Sequence, residues 1–247
     1  MASYDNFANY YDKLMREDID YSQIADFIEN VFSHYEKNPN LVADLACGTG
    51  NITIPMAKRG YDMIGVDKSV KMLDIAQKKA QDENLNILFL NQDISKLDLF
   101  GTCDAFLCMI DGINYILSPK SLFNMFSKIK KCFINPDGIF IFDISSEYKL
   151  SKVIGNNTFT YDSEDVFYSW ENKFYEDKKL SRMYLNFFVK KKNAYKRFCE
   201  SHIQRAYSVE EIKKALKKAG FTDIDCYDGF TFSPVTKTSE RITFVVR

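Results

Sequence analysis

The chain has 247 residues, with 33 Lys plus Arg against 34 Asp plus Glu, a net charge of −1 and a pI near 6.2. That length allows one large α/β domain, or a domain with an insertion, around a substantial core, and the balanced charge argues against a nucleic-acid partner unless a local basic patch hides in the neutral total. No apolar run approaches the ~18 residues of a membrane span, Met1 to Met15 does not read as a signal peptide, and six cysteines without a C-x-x-C pair read as core residues of a reducing compartment, so the expected location is cytoplasmic.

Tyr4, Phe7, Tyr10, Tyr11 and Leu14 recur at helical spacing, and Ile24, Phe27, Ile28 and Val31 continue as a second amphipathic helix. Lys37-Asn38-Pro39-Asn40 turns into Leu41 to Gly50, an apolar run with one carboxylate, Asp44, that breaks into a glycine-rich turn. The run is too short for a core helix and apolar on both faces, so it is expected to be a buried parallel strand. Asn51 opens a helix with Pro55 near its first turn and Gly60 as its stop. A strand, a Gly-x-Gly turn and a helix present free N–H groups and a positive dipole end to a ligand. The next strand, Met63 to Val66, ends in Asp67, 17 residues past Gly50. A carboxylate about 20 residues beyond such a turn is placed to accept both hydroxyls of a ribose, so the ligand is expected to contain a nucleoside.

Ser69 is placed to cap a helix whose buried stripe reads Val70, Met72, Leu73, Ile75 and Ala76. Asn86 to Asn91 is a third strand, followed by Gln92-Asp93-Ile94. Cys103 to Met109 is a fourth, and the loop Ile110 to Tyr115 lies at its carboxyl end, where open α/β sheets bind ligands. Ser118-Pro119 opens a helix to Phe133, Asn135 to Gly138 reads as a turn, and Gly138 to Asp143 as a fifth strand. From Thr158 to Tyr207 the period becomes two, which predicts three antiparallel strands with turns at Glu176 to Lys179 and Lys190 to Asn193. One face is apolar and aromatic, and is expected to roof an acceptor site or meet a second chain. Ser208-Val209-Glu210-Glu211 is a capping box opening a helix to Ala219, and two strands follow, Phe221 to Tyr227 and Arg241 to Val246.

The turn itself discriminates between nucleoside cofactors. Dinucleotide enzymes need G-x-G-x-x-G, whereas here Ala46, Gly48 and Gly50 are spaced differently, and Asp44 would repel a pyrophosphate but suit an ammonium. These residues resemble the class I S-adenosylmethionine-dependent methyltransferases, whose first motif is acid-x-Gly-x-Gly-x-Gly; Ala46 stands at the first Gly. The resemblance spans nearly the whole chain. It implies an α/β fold: a Rossmann-like, seven-stranded, doubly wound sheet with its last strand antiparallel, plus an antiparallel β insertion between strand 5 and the last helix. The cofactor domain would comprise residues 1–144 and 208–247 with an N-terminal helical cap, and the insertion residues 145–207.

The resemblance further implies cofactor contacts from Tyr11, Asp44, Ala46, Gly48, Asp67, Lys68, Asp93, Ile94 and Cys108. Asp44 would orient the methionine end, Asp67 the ribose, and Asp93 with Ile94 the adenine; Asp93 also reads as a helix cap. A Tyr-Asp pair such as Tyr11-Asp12 reaches the methionine end in that family, although Tyr11 also fits a core-facing helix position. Tyr10 to Asp12, the loop after Cys108 and the insertion are similar to small-molecule N-methyltransferases, including sugar N,N-dimethyltransferases and glycine N-methyltransferase. The Asn/Asp-Pro-Pro-Tyr/Phe of base-methylating enzymes is absent after the fourth strand. An amine acceptor must lose a proton before it can attack, and His202, Tyr11 and Asp111 are the candidates, although His202 reads first as an ordinary residue hydrogen-bonded within the sheet or exposed. The expected function is methyl transfer from S-adenosylmethionine to a small-molecule acceptor by a monomer or homodimer without metal, nucleic acid or membrane; the alternatives are an NAD-dependent dehydrogenase and a non-catalytic binding subunit.

Overall fold

Leu41–Leu45, strand β1, is the middle of the molecule: Val42, Ala43, Asp44 and Leu45 are all buried, because helices cover both faces of the sheet it belongs to. A computed structural model describes Asp12 and residues 19–247; the first helical pattern, with Tyr10 and Tyr11, lies outside the described residues. The further strands are β2 (Asp62–Asp67), β3 (Leu88–Asn91), β4 (Cys103–Cys108), β5 (Ile134–Ser145), β6 (Thr158–Asp162), β7 (Val166–Tyr175), β8 (Leu180–Lys191), β9 (Ala194–Arg205), β10 (Ile224–Asp228) and β11 (Arg241–Val246). The helices are α1 (Tyr21–His34), α2 (Thr53–Lys58), α3 (Val70–Asp82), α4 (Pro119–Lys128) and α5 (Val209–Ala219).

Seven strands form one sheet in the order β10-β11-β5-β4-β1-β2-β3, and β11 runs antiparallel between β5 and β10. This is the doubly wound, Rossmann-like arrangement with its last strand antiparallel that the resemblance implied. Alternate residues feed two cores. Ala43, Phe106, Phe140, Phe142 and Phe244 face α4 and α5 through Phe126 and Leu216, while Val42, Leu107, Ile141 and Val245 face α1 through Ile28 and Val31. Phe142 and Phe244 stack at 5.0 Å between ring centres, and fully burying each such side chain contributes about 1.5–3 kcal/mol.

The helix boundaries follow local chemistry. Ser69 accepts from the Met72 N–H at 3.4 Å, and Ser208 and Glu211 complete a reciprocal capping box. Gly220 ends α5 at φ +105°, a conformation that a side chain would resist. Three expectations are corrected. Val70 is 57% exposed and Met72, Leu73, Ala76 and Ala80 carry the burial, a stripe at the three- to four-residue spacing of a helix face that leaves Val70 off it. The Asn135 to Gly138 turn is absorbed into β5 as a bulge: pairing jumps from Cys103↔Ile134 to Ala105↔Ile139, and Asn135 donates to Asp104 at 2.6 Å. The insertion has four strands rather than three, in the order β6-β7-β8-β9, because the short Thr158–Asp162 segment pairs on the edge of β7. Among the described residues no helix is long and apolar enough to cross a membrane.

Candidate active site

The chain leaves β1 through a turn with left-handed backbone at Ala46 (φ +57°), Gly48 (+55°) and Gly50 (+77°). Alanine there bears a steric cost that glycine avoids, of roughly 1–2 kcal/mol. The turn is held from β2. The Asp67 carboxylate accepts from the Gly48 N–H at 2.9 Å and from the Ser69 N–H at 2.8 Å, so the residue 17 positions beyond Gly50 is also what fixes the turn's shape. A methyl group built on Gly48 would meet nothing within 4 Å, which leaves open space beside its backbone. At Gly112 the opposite holds: a Cβ would sit 2.8 Å from Cys108 Sγ and 3.0 Å from the Ala46 Cβ, so the loop after β4 approaches the turn after β1 closely only because Gly112 has no side chain.

Asp44 is buried and accepts from the Thr53 hydroxyl at 2.6 Å. Burial pushes its carboxyl up to about 7, with the Thr53 hydroxyl opposing. Asp12 grips the far side of the turn, accepting from Thr49 Oγ1 at 2.5 Å, Asn51 Nδ2 at 2.9 Å and Lys79 Nζ at 2.9 Å. Burial works against the ionised form of Asp12, but these donors outweigh it and hold its carboxyl below the usual range. Asp93 caps the short helix after β3, accepting from the Ser95 N–H at 2.9 Å through Oδ1.

A cavity of about 330 Å³ opens at the carboxyl ends of these strands, and seven of the nine expected cofactor residues line it: Asp44, Ala46, Gly48, Asp67, Lys68, Asp93 and Ile94. Tyr11 lies outside the described residues. Cys108 does not line it; its thiol is fully buried against Gly112, and the wall there comes from the next residues, Met109 and Ile110. Cys108 is the last residue of β4, and its side chain packs into the core rather than toward the opening.

A second cavity, of about 710 Å³, lies under the insertion and shares Ile110 and Tyr115 with the first. At this junction Ile110 (φ +58°) and Asp111 (+53°) are both left-handed, a strain concentrated at functional sites and severe for a β-branched residue. The loop is pinned from three directions. Asn114, buried, donates to the carbonyls of Ser145 at 3.0 Å and Arg205 at 2.9 Å. Asp111 accepts from Gln204 Nε2 at 2.6 Å and pairs with Arg241 at 3.0 Å. Arg241 also bonds Asp143, which accepts from the Asp111 N–H at 3.1 Å. Burial raises the Asp143 carboxyl, with Arg241 opposing.

His202, on β9, is buried and lines this second cavity, its ring edge-on to Tyr115 at 6.1 Å. Burial and, secondarily, the nearby Lys68 charge push its imidazole down to about 4. Lys68 Nζ stands 5.7 Å from the centre of the Tyr115 ring. Sequence reasoning missed Thr53, Asn114, Gln204 and Arg241; the only available hint was a charged or amide group at the margin of an otherwise apolar segment. Among the described residues no group of His, Cys, Asp and Glu could hold a metal ion.

Residues 42–138 match the family profile described as Methyltransferase domain. Over 243 residues, covering 98% of this chain and 95% of the relative, the sequence is 36% identical to YqeM of Bacillus subtilis (strain 168), provisionally named a methyltransferase. The crystal structure of an S-adenosylmethionine-dependent methyltransferase from Clostridium acetobutylicum ATCC 824 superposes with a TM-score of 0.91 at 40% identity, over 99% of this chain and 98% of that one. DesVI of Streptomyces venezuelae shares the fold at 19% identity, with a TM-score of 0.80 over 98% of each chain.

Proposed function

This chain belongs to the S-adenosylmethionine-dependent methyltransferases, and from that premise we propose that it methylates a small-molecule amine presented at Ile110 and Tyr115. The observation that carries the proposal is the pair of cavities meeting at those two residues, one lined by the glycine-rich turn, the other roofed by the insertion. S-adenosylmethionine supplies an electrophilic methyl on sulfonium.

The residues present fit that cofactor. Asp44, whose carboxyl is raised by burial, is suited to an ammonium that restores its charge. Asp67 keeps acceptor capacity for ribose hydroxyls beyond the two N–H groups it already holds. Asp93 spends one oxygen on its cap and has the other for the adenine amine, with Ile94 against the ring. Open space beside Gly48 lets the ligand touch backbone. The dehydrogenase alternative falls with family membership.

On the acceptor side the chain orients the amine and excludes water. Of His202 and Asp111, His202 is the better placed to meet the amine, because Asp111 is tied to Arg241 and Gln204. With an imidazole near 4 it stays neutral at physiological pH and accepts a hydrogen bond from the amine rather than deprotonating an ammonium. The apolar cavity favours the neutral amine by desolvation. Tyr11 would contact the methionine end. The six free thiols support a cytoplasmic setting, and an acceptor cavity roofed by the insertion suits a small molecule, not nucleic acid, in a monomer or homodimer.

The test is a thermal-shift panel of S-adenosylhomocysteine, NAD and ATP, followed by transfer of labelled methyl to an amine library. S-adenosylhomocysteine at ~100 times its dissociation constant should stabilise by about 2.7 kcal/mol and NAD should not. Label appearing only in oxygen or carbon products would sink the amine assignment.

A further inference from the structure

Besides the His202 imidazole, six aromatic rings line the larger cavity: Tyr115, Phe159, Tyr168, Trp170, Phe187 and Phe230. Those on the insertion touch in pairs, Phe159 with Trp170 at 5.4 Å and Tyr168 with Phe187 at 5.3 Å, and Tyr168 and Trp170 share one face of β7. The rings within each pair are tilted, by 45° and 51°, so the wall they make is apolar and faceted, suited to offset and edge contacts with a ring.

The charges that line this cavity leave little for an anion; Lys68, beside Tyr115, lines the smaller cavity instead. Arg241 is bound by Asp111 and Asp143. The N-terminus of α1, which would otherwise attract a phosphate, is capped by the Asp20 carboxylate through the N–H groups of Ser22 and Gln23 at 2.9 and 3.1 Å. Lys149 is then the one lining cation without a carboxylate bound to it among the described residues. A nucleotide-linked substrate carries a pyrophosphate, which asks for several cations or free backbone donors at once.

Building on the proposed methyl transfer to an amine, we propose that the acceptor is an arylalkylamine or a related flat, ring-bearing amine without phosphate. Its nitrogen lies at the junction of Ile110 and Tyr115, and its ring system lies along Trp170 and Tyr168. The nitrogen lone pair forms the N–C bond while the S–C electrons return to sulfur, giving S-adenosylhomocysteine, and the surplus N–H proton passes to water.

Calorimetry on the full chain separates this inference from the reading beneath it, because S-adenosylhomocysteine binding is measured first. If that ligand fails to bind, the cofactor assignment falls and takes this inference with it. On the loaded chain, tryptamine is expected to bind at least about tenfold more tightly than a thymidine-diphosphate-linked amino sugar, a difference of about 1.4 kcal/mol. Trp170→Ala should weaken tryptamine by about tenfold while the dissociation constant of S-adenosylhomocysteine stays within about twofold. Trp170→Phe, which keeps a ring and the fold of β7, should retain most of the affinity. Equal or tighter binding of the nucleotide-linked sugar, or no tryptamine binding to a chain that holds S-adenosylhomocysteine, would overturn the inference, as would a Trp170→Ala chain that binds tryptamine unchanged.

Discussion

The two cavities are built by opposite means. The smaller one is made of short segments between strands and helices, with left-handed backbone at Ala46, Gly48 and Ile110 and polar groups that hold one another, as Asp67 holds Gly48 and Thr53 holds Asp44. The larger one takes its roof from long, regular strands whose alternate residues face inward, Tyr168 and Trp170 on β7 and Met183, Leu185 and Phe187 on β8. Backbone-built sites tolerate few substitutions because the conformation itself is the binding surface. On a sheet face, a side chain at every second position can change without moving the backbone, so the roof is where acceptor choice can vary.

Arg241 is where the two constructions are joined, since it pairs with Asp111 of the β4 loop and with buried Asp143 of β5. Arg241→Met should therefore produce the largest effect. Two carboxylates lose their counter-ion, and breaking a buried pair costs about 3–5 kcal/mol. Urea denaturation measures it, and a loss below about 1 kcal/mol would mean that the cavities are not tied together by this ion pair.

Asp67→Ala should separate the regions instead. Loss of a carboxylate that accepts ribose hydroxyls is expected to weaken S-adenosylhomocysteine by about 2–3 kcal/mol, with the insertion's contribution untouched. Calorimetry would refute this if the dissociation constant did not move.

A third, smaller effect is one of pH. The Asp44 carboxyl ionises near 3.8 when unfolded and about 7 when folded, so folding takes up a proton between those values and this group's contribution to stability falls as pH rises through that window. An ammonium ligand favours the ionised form. Affinity for S-adenosylhomocysteine should thus rise with pH, by up to ~tenfold per unit, and level off above about 7. Asp44→Asn should flatten the slope between about pH 5 and 7, where His202, pushed down to about 4, is already neutral and contributes none. A flat profile for the unaltered chain would remove Asp44 from the ammonium role.

The smallest effect is expected at Ala46. Replacing it by glycine relieves the left-handed strain at φ +57° but increases the freedom of the unfolded chain, for a net stabilisation of about 0.5–1 kcal/mol. A destabilised Ala46→Gly protein would show instead that the Ala46 methyl packs usefully over Gly112.

Local pattern in the sequence determined the parallel strands, the glycine-rich turn, Asp67 at the end of β2, the capping box at Ser208 and the antiparallel character of the insertion. Each of these is encoded by residues within a turn or two of one another, where periodicity and backbone preference act directly. Only the tertiary structure decided which groups close the site. Gln204 reaches Asp111 across 93 residues of chain and Arg241 across 130, distances over which no spacing rule operates. The same holds for Cys108: at the end of β4 its thiol packs in the core against Gly112, and the cavity wall falls to Met109 and Ile110. A strand's alternation says which residues share a face, but which face meets the cavity is fixed by the sheet's packing against the rest of the fold.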